Sequence, residues 1–460
     1  MNKPQLRLPL DDFAVPPPRS AVWRPIHYLG SKLRIVEPLC LAIDEVDPSR
    51  GPVCDLFAGS GTVSAALASA RDVIAVDIQE YSRVLCSAVL RPPIISDVEA
   101  EIFARTAFGS GHRERVAAAT PLIEYERACL EKARRGAAEA ICELIEHASL
   151  VAFHSKAEAP AMGALGRAQK RTVSRLCALN QEAFRETLIL RHFGGLYFSY
   201  LQAVQLDSLL AIAHRQIGSV RDSFLAAIIS TASEIVNTVG KHFAQPIRPR
   251  GSDGKPKRHL IGKILRDREL DVVPLFSAWL DRYRSLPRTD RQHSVVRADF
   301  ADALGALDRR VGVVYADPPY TRDHYSRFYH VLETMCLWDD PGVSTTRIRA
   351  ERERFSRGMY RIDRHQSPFC IKSRAPEAFE RLFAAVRDLP APLVLSYSPY
   401  APDSRARPRV MTVDEVASIA HRYFRRVEVA SAGRISHMRL NSTKFNTDPV
   451  YDAEVVILCS

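Results

Sequence analysis

Pro52-Val53-Cys54-Asp55-Leu56-Phe57-Ala58-Gly59-Ser60-Gly61-Thr62 is the stretch that decides the fold of this chain. Pro52 to Phe57 suits a buried strand, Gly59 to Gly61 a turn, and the alanine-rich text from Thr62 to Ala70 a helix. Val73 to Val76 reads as a second strand closed by Asp77. Strand, glycine turn, helix, strand, acid is the opening unit of a doubly wound α/β sheet. Two glycines at this spacing let the backbone pass close to a ligand. The run departs from a dinucleotide fingerprint, because Ser64 stands where the third glycine would be. Asp55 at the strand end would repel a pyrophosphate and attract an ammonium, and Asp77 is placed for a ribose diol.

Working outward, the α/β pattern resumes only at Ser294. Val295 and Val296 precede Arg297-Ala298-Asp299-Phe300, and Val311 to Ala316 is a compact apolar strand closed by Asp317-Pro318-Pro319-Tyr320. Leu393 to Tyr397 is another strand candidate, and Phe424 to Val429 with Glu454 to Leu458 suits a closing antiparallel pair. Between the two blocks the text is rich in Ala, Glu and Arg and favours helix. Asp222 to Thr238 and Ile261 to Tyr283 have helical periodicity, and Pro246 to His259 reads as an exposed loop. The expected division is a flexible arm over 1–20, a first α/β block over 21–95, a mainly helical insertion over 96–290 and a second α/β block over 291–460.

The Asp317-Pro318-Pro319-Tyr320 run has its own chemistry. Two prolines restrict the backbone straight after a strand. Asp317 is thereby fixed at the carboxyl end of the sheet, where open α/β sites lie. Its carboxylate and the Pro318 carbonyl can accept hydrogen bonds from an exocyclic amine, and the Tyr320 ring can stack on a planar heterocycle. No ligand cluster has metal spacing, so no metal site is expected.

Gross composition sets the limits. The chain has 460 residues, of which 46% are hydrophobic and 25% charged, the balance of a folded globular protein. A formal charge of +11 permits a nucleic-acid partner. Nine cysteines with no CxxC pair argue against a disulfide scaffold or a zinc ribbon and for a reducing cytoplasm. The first twenty residues lack the apolar core of a signal peptide, and no apolar run reaches the length of a membrane span.

In order, Tyr28-Leu29-Gly30-Ser31-Lys32, the Asp55 to Thr62 run, Asp77, Arg297 to Phe300 and Asp317 to Tyr320 resemble the motifs of the D12 class of N6-adenine-specific DNA methyltransferases. Tyr325 to Glu333, Lys372 and Leu393 to Ser398 extend the similarity. Tyr28 stands where some members have Trp, and Ser31 where some have a second Gly. The resemblance implies a Rossmann-like S-adenosylmethionine-dependent methyltransferase sheet with a mainly helical inserted target-recognition region. It implies S-adenosyl-L-methionine as methyl donor, held by Tyr28, Gly30, Ser31, Lys32, Asp55, Phe57, Ala58, Gly59, Gly61, Asp77, Asp299 and Phe300. Asp317, Pro318, Pro319 and Tyr320 are then the catalytic tetrad, acting on an adenine rotated out of double-stranded DNA.

Phosphate contacts are expected from Lys241, Arg248, Arg250, Lys255, Lys257 and Arg258, while Arg322, Tyr325 and Arg327, beside the tetrad, are expected to line the base-flipping cleft or to touch adjacent phosphates. A separately encoded cognate restriction endonuclease is a partner that the resemblance allows. An N4-cytosine methyltransferase and a catalytically silent DNA-binding homologue stand as alternatives.

Overall fold

Val53–Leu56 (β1) lies inside a seven-stranded sheet. The other members are Val73–Asp77 (β2), Ser294–Arg297 (β3), Val313–Ala316 (β4), Leu393–Tyr397 (β7), Val427–Ser431 (β8) and Val455–Cys459 (β11), in the order β3-β2-β1-β4-β7-β11-β8. Among the described residues two further antiparallel pairs follow: the hairpin of Thr345–Arg349 (β5) with Arg352–Phe355 (β6), and Arg434–Ile435 (β9) paired with Val450–Tyr451 (β10). The structure is a computed structural model and describes residues 24–28, 30–155, 163–307, 310–322, 324–349, 352–399, 409–431, 434–435, 450–451 and 454–460. The expected arm over 1–20 lies outside the described residues.

The five strands from β3 to β7 are parallel, and β11 runs antiparallel to both β7 and β8. The pattern is that of a mixed α/β protein with a mostly parallel central sheet, consistent with a methyltransferase fold. Every residue of β1, β4, β7 and β11 is buried, as expected where helices cover both faces of a sheet. Alternate residues feed two cores: Cys54 and Leu56 pack with Leu382, Phe383 and Leu395, while Val53 packs with Leu39, Ile43 and Leu67. Arg71 is fully buried and donates to Asp44, to Asp47 and to the carbonyl of Gly51, which fixes the loop leading into β1.

The chain divides into two compact units. The first takes residues 1–92, 286–326 and 365–460 and holds the large sheet; the second takes 93–285 and 327–364. The second unit thus includes a segment, 327–364 with the β5–β6 hairpin, that the sequence division puts in the second α/β block. Apart from that hairpin, the regular elements described in this unit are helices. Phe103 stacks on Phe224 with ring centroids 3.8 Å apart, and Leu206, Leu209, Leu210, Leu225 and Ile228 are buried. A buried polar network ties the helices together: Arg268 pairs with Glu126 and donates to the Gly195 carbonyl at 2.6 Å, and Glu126 accepts from the Tyr200 amide at 2.7 Å. Such a network is tolerable inside a core only because its members satisfy one another.

Three local expectations shift. Ile261 to Tyr283 is two helices, Arg258–Glu269 and Val272–Arg284, because Asp271 caps the second by accepting from the Val273 amide. The strand expected at Phe424 to Val429 begins at Val427, after the helix Val413–Ala420 and a turn. Pro246 to His259 is exposed only in part: Ile247 is buried, and the Lys257 amide donates to the Pro249 carbonyl at 2.7 Å. None of the described helices is long and apolar enough to cross a membrane.

Candidate active site

Sheet register lines up the key residues. Leu56 sits level with Val76 on β2 and with Ala316 on β4, so Phe57, Asp77 and Asp317 follow side by side at the carboxyl ends of adjacent strands. Asp77 is level with Arg297 on β3, which brings Asp299 and Phe300 to the same edge. One cavity in the first unit is lined by Tyr28, Phe57, Asp77, Asp299, Phe300, Tyr325 and all four residues from Asp317 to Tyr320. Residues expected to hold a cofactor and residues expected to act on a base therefore meet in one place. The cavity lies where a doubly wound sheet binds its ligands.

The first motif forms a tight turn under strain. Phe57 has a φ of 62°, in the left-handed region that side chains rarely adopt. That conformation carries its ring to Phe300 and Phe369, with centroids 5.6 and 5.4 Å away, and the three make an apolar wall. Gly59 has a φ of 56°, and a methyl group there would come within 2.7 Å of Tyr28 Oη. Its amide donates to Asp77 Oδ2 at 2.9 Å, while Asp77 Oδ1 accepts from the Gln79 amide at 2.9 Å. Gly61, also at positive φ, begins the helix Thr62–Leu67. Ala58 donates its amide to the Val76 carbonyl, which ties the turn to β2. Gly30 and Ser31 precede the short turn Lys32–Arg34, and Tyr325 Oη closes on Gly30.

The site is a concentration of buried negative charge. Asp55 is buried and accepts from Ser64 Oγ at 2.5 Å; burial pushes its pKa up to about 7. Burial also raises Asp77, against the pull of the amides it accepts from, and pushes Asp317 up to about 6 against the pull of Lys32. Asp299 caps the helix Phe300–Gly305 by accepting from the Ala301 amide. A cationic ligand would favour the ionised form of Asp55, Asp77 and Asp317, which burial otherwise disfavours.

Lys32 does not stand apart as a carboxylate binder. It is 5% exposed, and its Nζ lies 2.8 Å from Asp317 Oδ1 and 5.3 Å from the Tyr320 ring centre. Burial works against its ammonium, but Asp317 and Glu454 outweigh that and hold its pKa above the ordinary lysine value. Tyr320 is 8% exposed, and its hydroxyl donates to Glu454 Oε1 at 2.6 Å. Its ring also faces Tyr397 at 5.3 Å and the Arg409 guanidinium at 5.0 Å. The Val410 amide donates to the Tyr320 carbonyl at 3.1 Å and anchors the end of the tetrad.

Sequence reasoning missed Glu454, Arg409, Phe369 and His365 as members of this site. Glu454 had a readable mark: it is an acid immediately before the fully apolar strand β11, as Asp317 is immediately after β4. Arg409 and Phe369 lie in irregular text and carry no such mark.

The expected phosphate contacts divide. Lys241 is turned inward, donating to the Glu234 carbonyl at 2.5 Å and the Val236 carbonyl at 3.2 Å and pairing with Asp267 at 3.1 Å. Arg250 pairs with Glu146 at 3.1 Å and donates to the carbonyls of Gly254 and Glu139. Lys257 donates to the Arg248 carbonyl at 3.1 Å. Arg248, Lys255, Arg258, Arg322 and Arg327 are exposed, and Tyr325 is half-buried with its ring 5.9 Å from that of Tyr28. In the second unit Arg248 and Arg250 line a cleft of about 710 Å³ together with Arg354 and Arg357 from the β5–β6 hairpin and the turn after it. Arg357 is held below the ordinary arginine pKa by burial and then by repulsion from Arg248. Among the described residues no cluster of His, Cys, Asp and Glu could hold a metal ion.

Two segments of the chain, residues 28–109 and 282–378, match the family model of the D12 class N6 adenine-specific DNA methyltransferase. A 111-residue stretch is 31% identical to the modification methylase LlaI of Lactococcus lactis subsp. lactis. That stretch is 24% of this chain and 14% of the relative's length. No solved structure matches. The family match points to an adenine-specific DNA methyltransferase, and the relative is named as a modification methylase.

Proposed function

We propose that this chain transfers a methyl group from S-adenosyl-L-methionine to N6 of adenine at specific sites in double-stranded DNA, with the target base rotated out of the stack. The observation that carries this reading is the juxtaposition of Asp77, Asp299, Asp317 and Tyr320 around one cavity at the carboxyl edge of the sheet. The match to the D12 class covers those four positions. We take the sheet as the Rossmann-like cofactor-binding core and the mainly helical second unit as the target-recognition domain.

The residues present fit the methyl donor. Phe57, Phe300 and Phe369 offer an apolar wall for a purine, Asp77 an acceptor for ribose hydroxyls and Asp299 one for a ring amine. Asp55 and its acidic neighbours suit a ligand with positive charge. When bound, the donor supplies an electrophilic methyl group on a sulfonium. The chain's own part is alignment and charge placement. Asp317 and the Pro318 carbonyl accept from the two N6 hydrogens and so expose the nitrogen lone pair. As the N–C bond forms, the methyl–sulfur bond of the donor breaks to leave a neutral thioether and one of those protons is lost; Asp317, with a pKa of about 6, is a half-buried acceptor able to hold it.

Phosphate contact is assigned to the cleft of the second unit. Arg357, repelled by Arg248 and Arg354, gains from a polyanion, and the DNA backbone is one. The name of the lactococcal relative supports a role in modification beside a separately encoded restriction endonuclease. The test is Asp317→Ala: methyl transfer to duplex DNA should fall at least about a hundredfold, the usual scale for losing a general acid or base, with DNA binding kept. Undiminished transfer would remove Asp317 from the mechanism.

A further inference from the structure

Lys32 and Glu454 come from opposite ends of the chain, yet each contacts one end of the Asp317–Tyr320 segment. We infer that both are positioning residues: Lys32 fixes the carboxylate of Asp317, and Glu454 fixes the ring of Tyr320 through its hydroxyl. The inference rests on the methyl-transfer reading of this site and deepens it.

The geometry favours this role for Lys32 over a contact to the donor's own carboxylate. The ammonium is buried, lies 2.8 Å from Asp317 Oδ1 and is 3.4 Å from the Gly30 carbonyl. A carboxylate turns easily about its last torsion, and an adjacent cation selects one orientation. Oδ1 then faces Lys32 while Oδ2 is left for the amine. Glu454 is 5% exposed and stands at the start of β11, whose pairing with β7 and β8 makes it a rigid support. Its hydrogen bond of 2.6 Å holds the Tyr320 hydroxyl and so sets the plane of the ring. A short charge-assisted bond in a dry site is an efficient tether.

The two residues bear opposite charge, and this separates a positioning role from a merely structural one. Facing Asp317 are Lys32 and Glu454, with Asp55 on β1, Tyr315 on β4 and Tyr320 beyond it; Tyr325 faces Lys32, and Arg409 faces Tyr320. Lys32 favours the ionised form of Asp317 and Glu454 disfavours it. Lys32→Met should therefore move the acid limb of kcat to higher pH, by roughly one to three units for loss of an adjacent opposite charge. Glu454→Gln should move the same limb to lower pH while lowering kcat at its plateau, by up to about a hundredfold for a misplaced reacting group. Lys32→Arg, which keeps the charge, should leave the limb close to the wild-type position.

The experiment records pH profiles of kcat for the wild-type chain and the three variants, S-adenosylmethionine affinity by calorimetry, and a carbon NMR titration of the Asp317 carboxyl without turnover. Opposite shifts with donor affinity kept within about threefold are the expected result. Coincident profiles and titrations, or a donor affinity lost in Lys32→Met and intact in Glu454→Gln, would overturn it and return Lys32 to the donor's carboxylate. A wild-type chain that methylates no adenine defeats the underlying reading instead, and the NMR titration then still decides the placement of charge. If Lys32→Met does not fold, Lys32→Arg and Glu454→Gln carry the test.

Discussion

The amide of Gly59 donates to Asp77 Oδ2 at 2.9 Å, so the glycine turn after β1 is hydrogen-bonded to the acid that ends β2. Two sequence motifs eighteen residues apart are thereby one structural unit. Gly59 has a positive φ, and an added methyl group would meet Tyr28 Oη. Gly59→Ala should cost about 1–3 kcal/mol of strain. Calorimetry should show that cost chiefly as weaker S-adenosylmethionine binding, since the turn touches Tyr28 and Asp77, which line the cavity.

Arg71 is a stability residue of the first unit. It is fully buried between Asp44 and Asp47 and also donates to two carbonyls. Arg71→Met leaves Asp47 without its cation and Asp44 with Arg50 at 3.5 Å, and loss of one partner costs about 3–5 kcal/mol in buried pairs. Thermal melting should show the loss, and an unchanged midpoint would remove Arg71 from this role.

The acid of the first motif sets a pH dependence. The folded pKa of Asp55 is raised to about 7 from an ordinary 3.8, with burial as the main cause. A raised carboxyl contributes stability that is full below the unfolded value and is lost as pH rises through the folded value. The ligand-free protein should therefore lose stability between about pH 4 and 7 from this group. Denaturant unfolding at pH 5 and 7.5 should show the slope, and Asp55→Asn should reduce it, leaving the part that Asp207 and Asp317 contribute.

The arginine cleft of the second unit predicts a salt effect. Arg354→Gln and Arg357→Gln should each weaken duplex binding and reduce the slope of log K against log salt by roughly one. Donor affinity should stay at the wild-type value. Unchanged slopes would move the phosphate footprint elsewhere.

Much of this site is legible in the sequence because strands and turns there are local. The strand at Val53, the turn at Gly59 and the acid at Asp77 follow from hydrophobic pattern and glycine chemistry alone. Asp317 is readable for the same reason, as two prolines mark the end of an apolar strand. Lys241 misleads, because a lysine in a basic loop gives no sign that Asp267, in the helix Arg258–Glu269, will draw it inward. Glu454 is separated from Tyr320 by 134 residues, and only the antiparallel pairing of β11 with β7 brings it there. Long-range side-chain pairing of this kind leaves no periodic trace.

Incubation of the protein with labelled S-adenosylmethionine and unmethylated duplex DNA, followed by digestion and identification of the labelled nucleoside, tests the central claim most directly. The expected result is label on N6-methyladenine within a defined sequence context. Label on N4-methylcytosine, label only on RNA, or no transfer at all would contradict it.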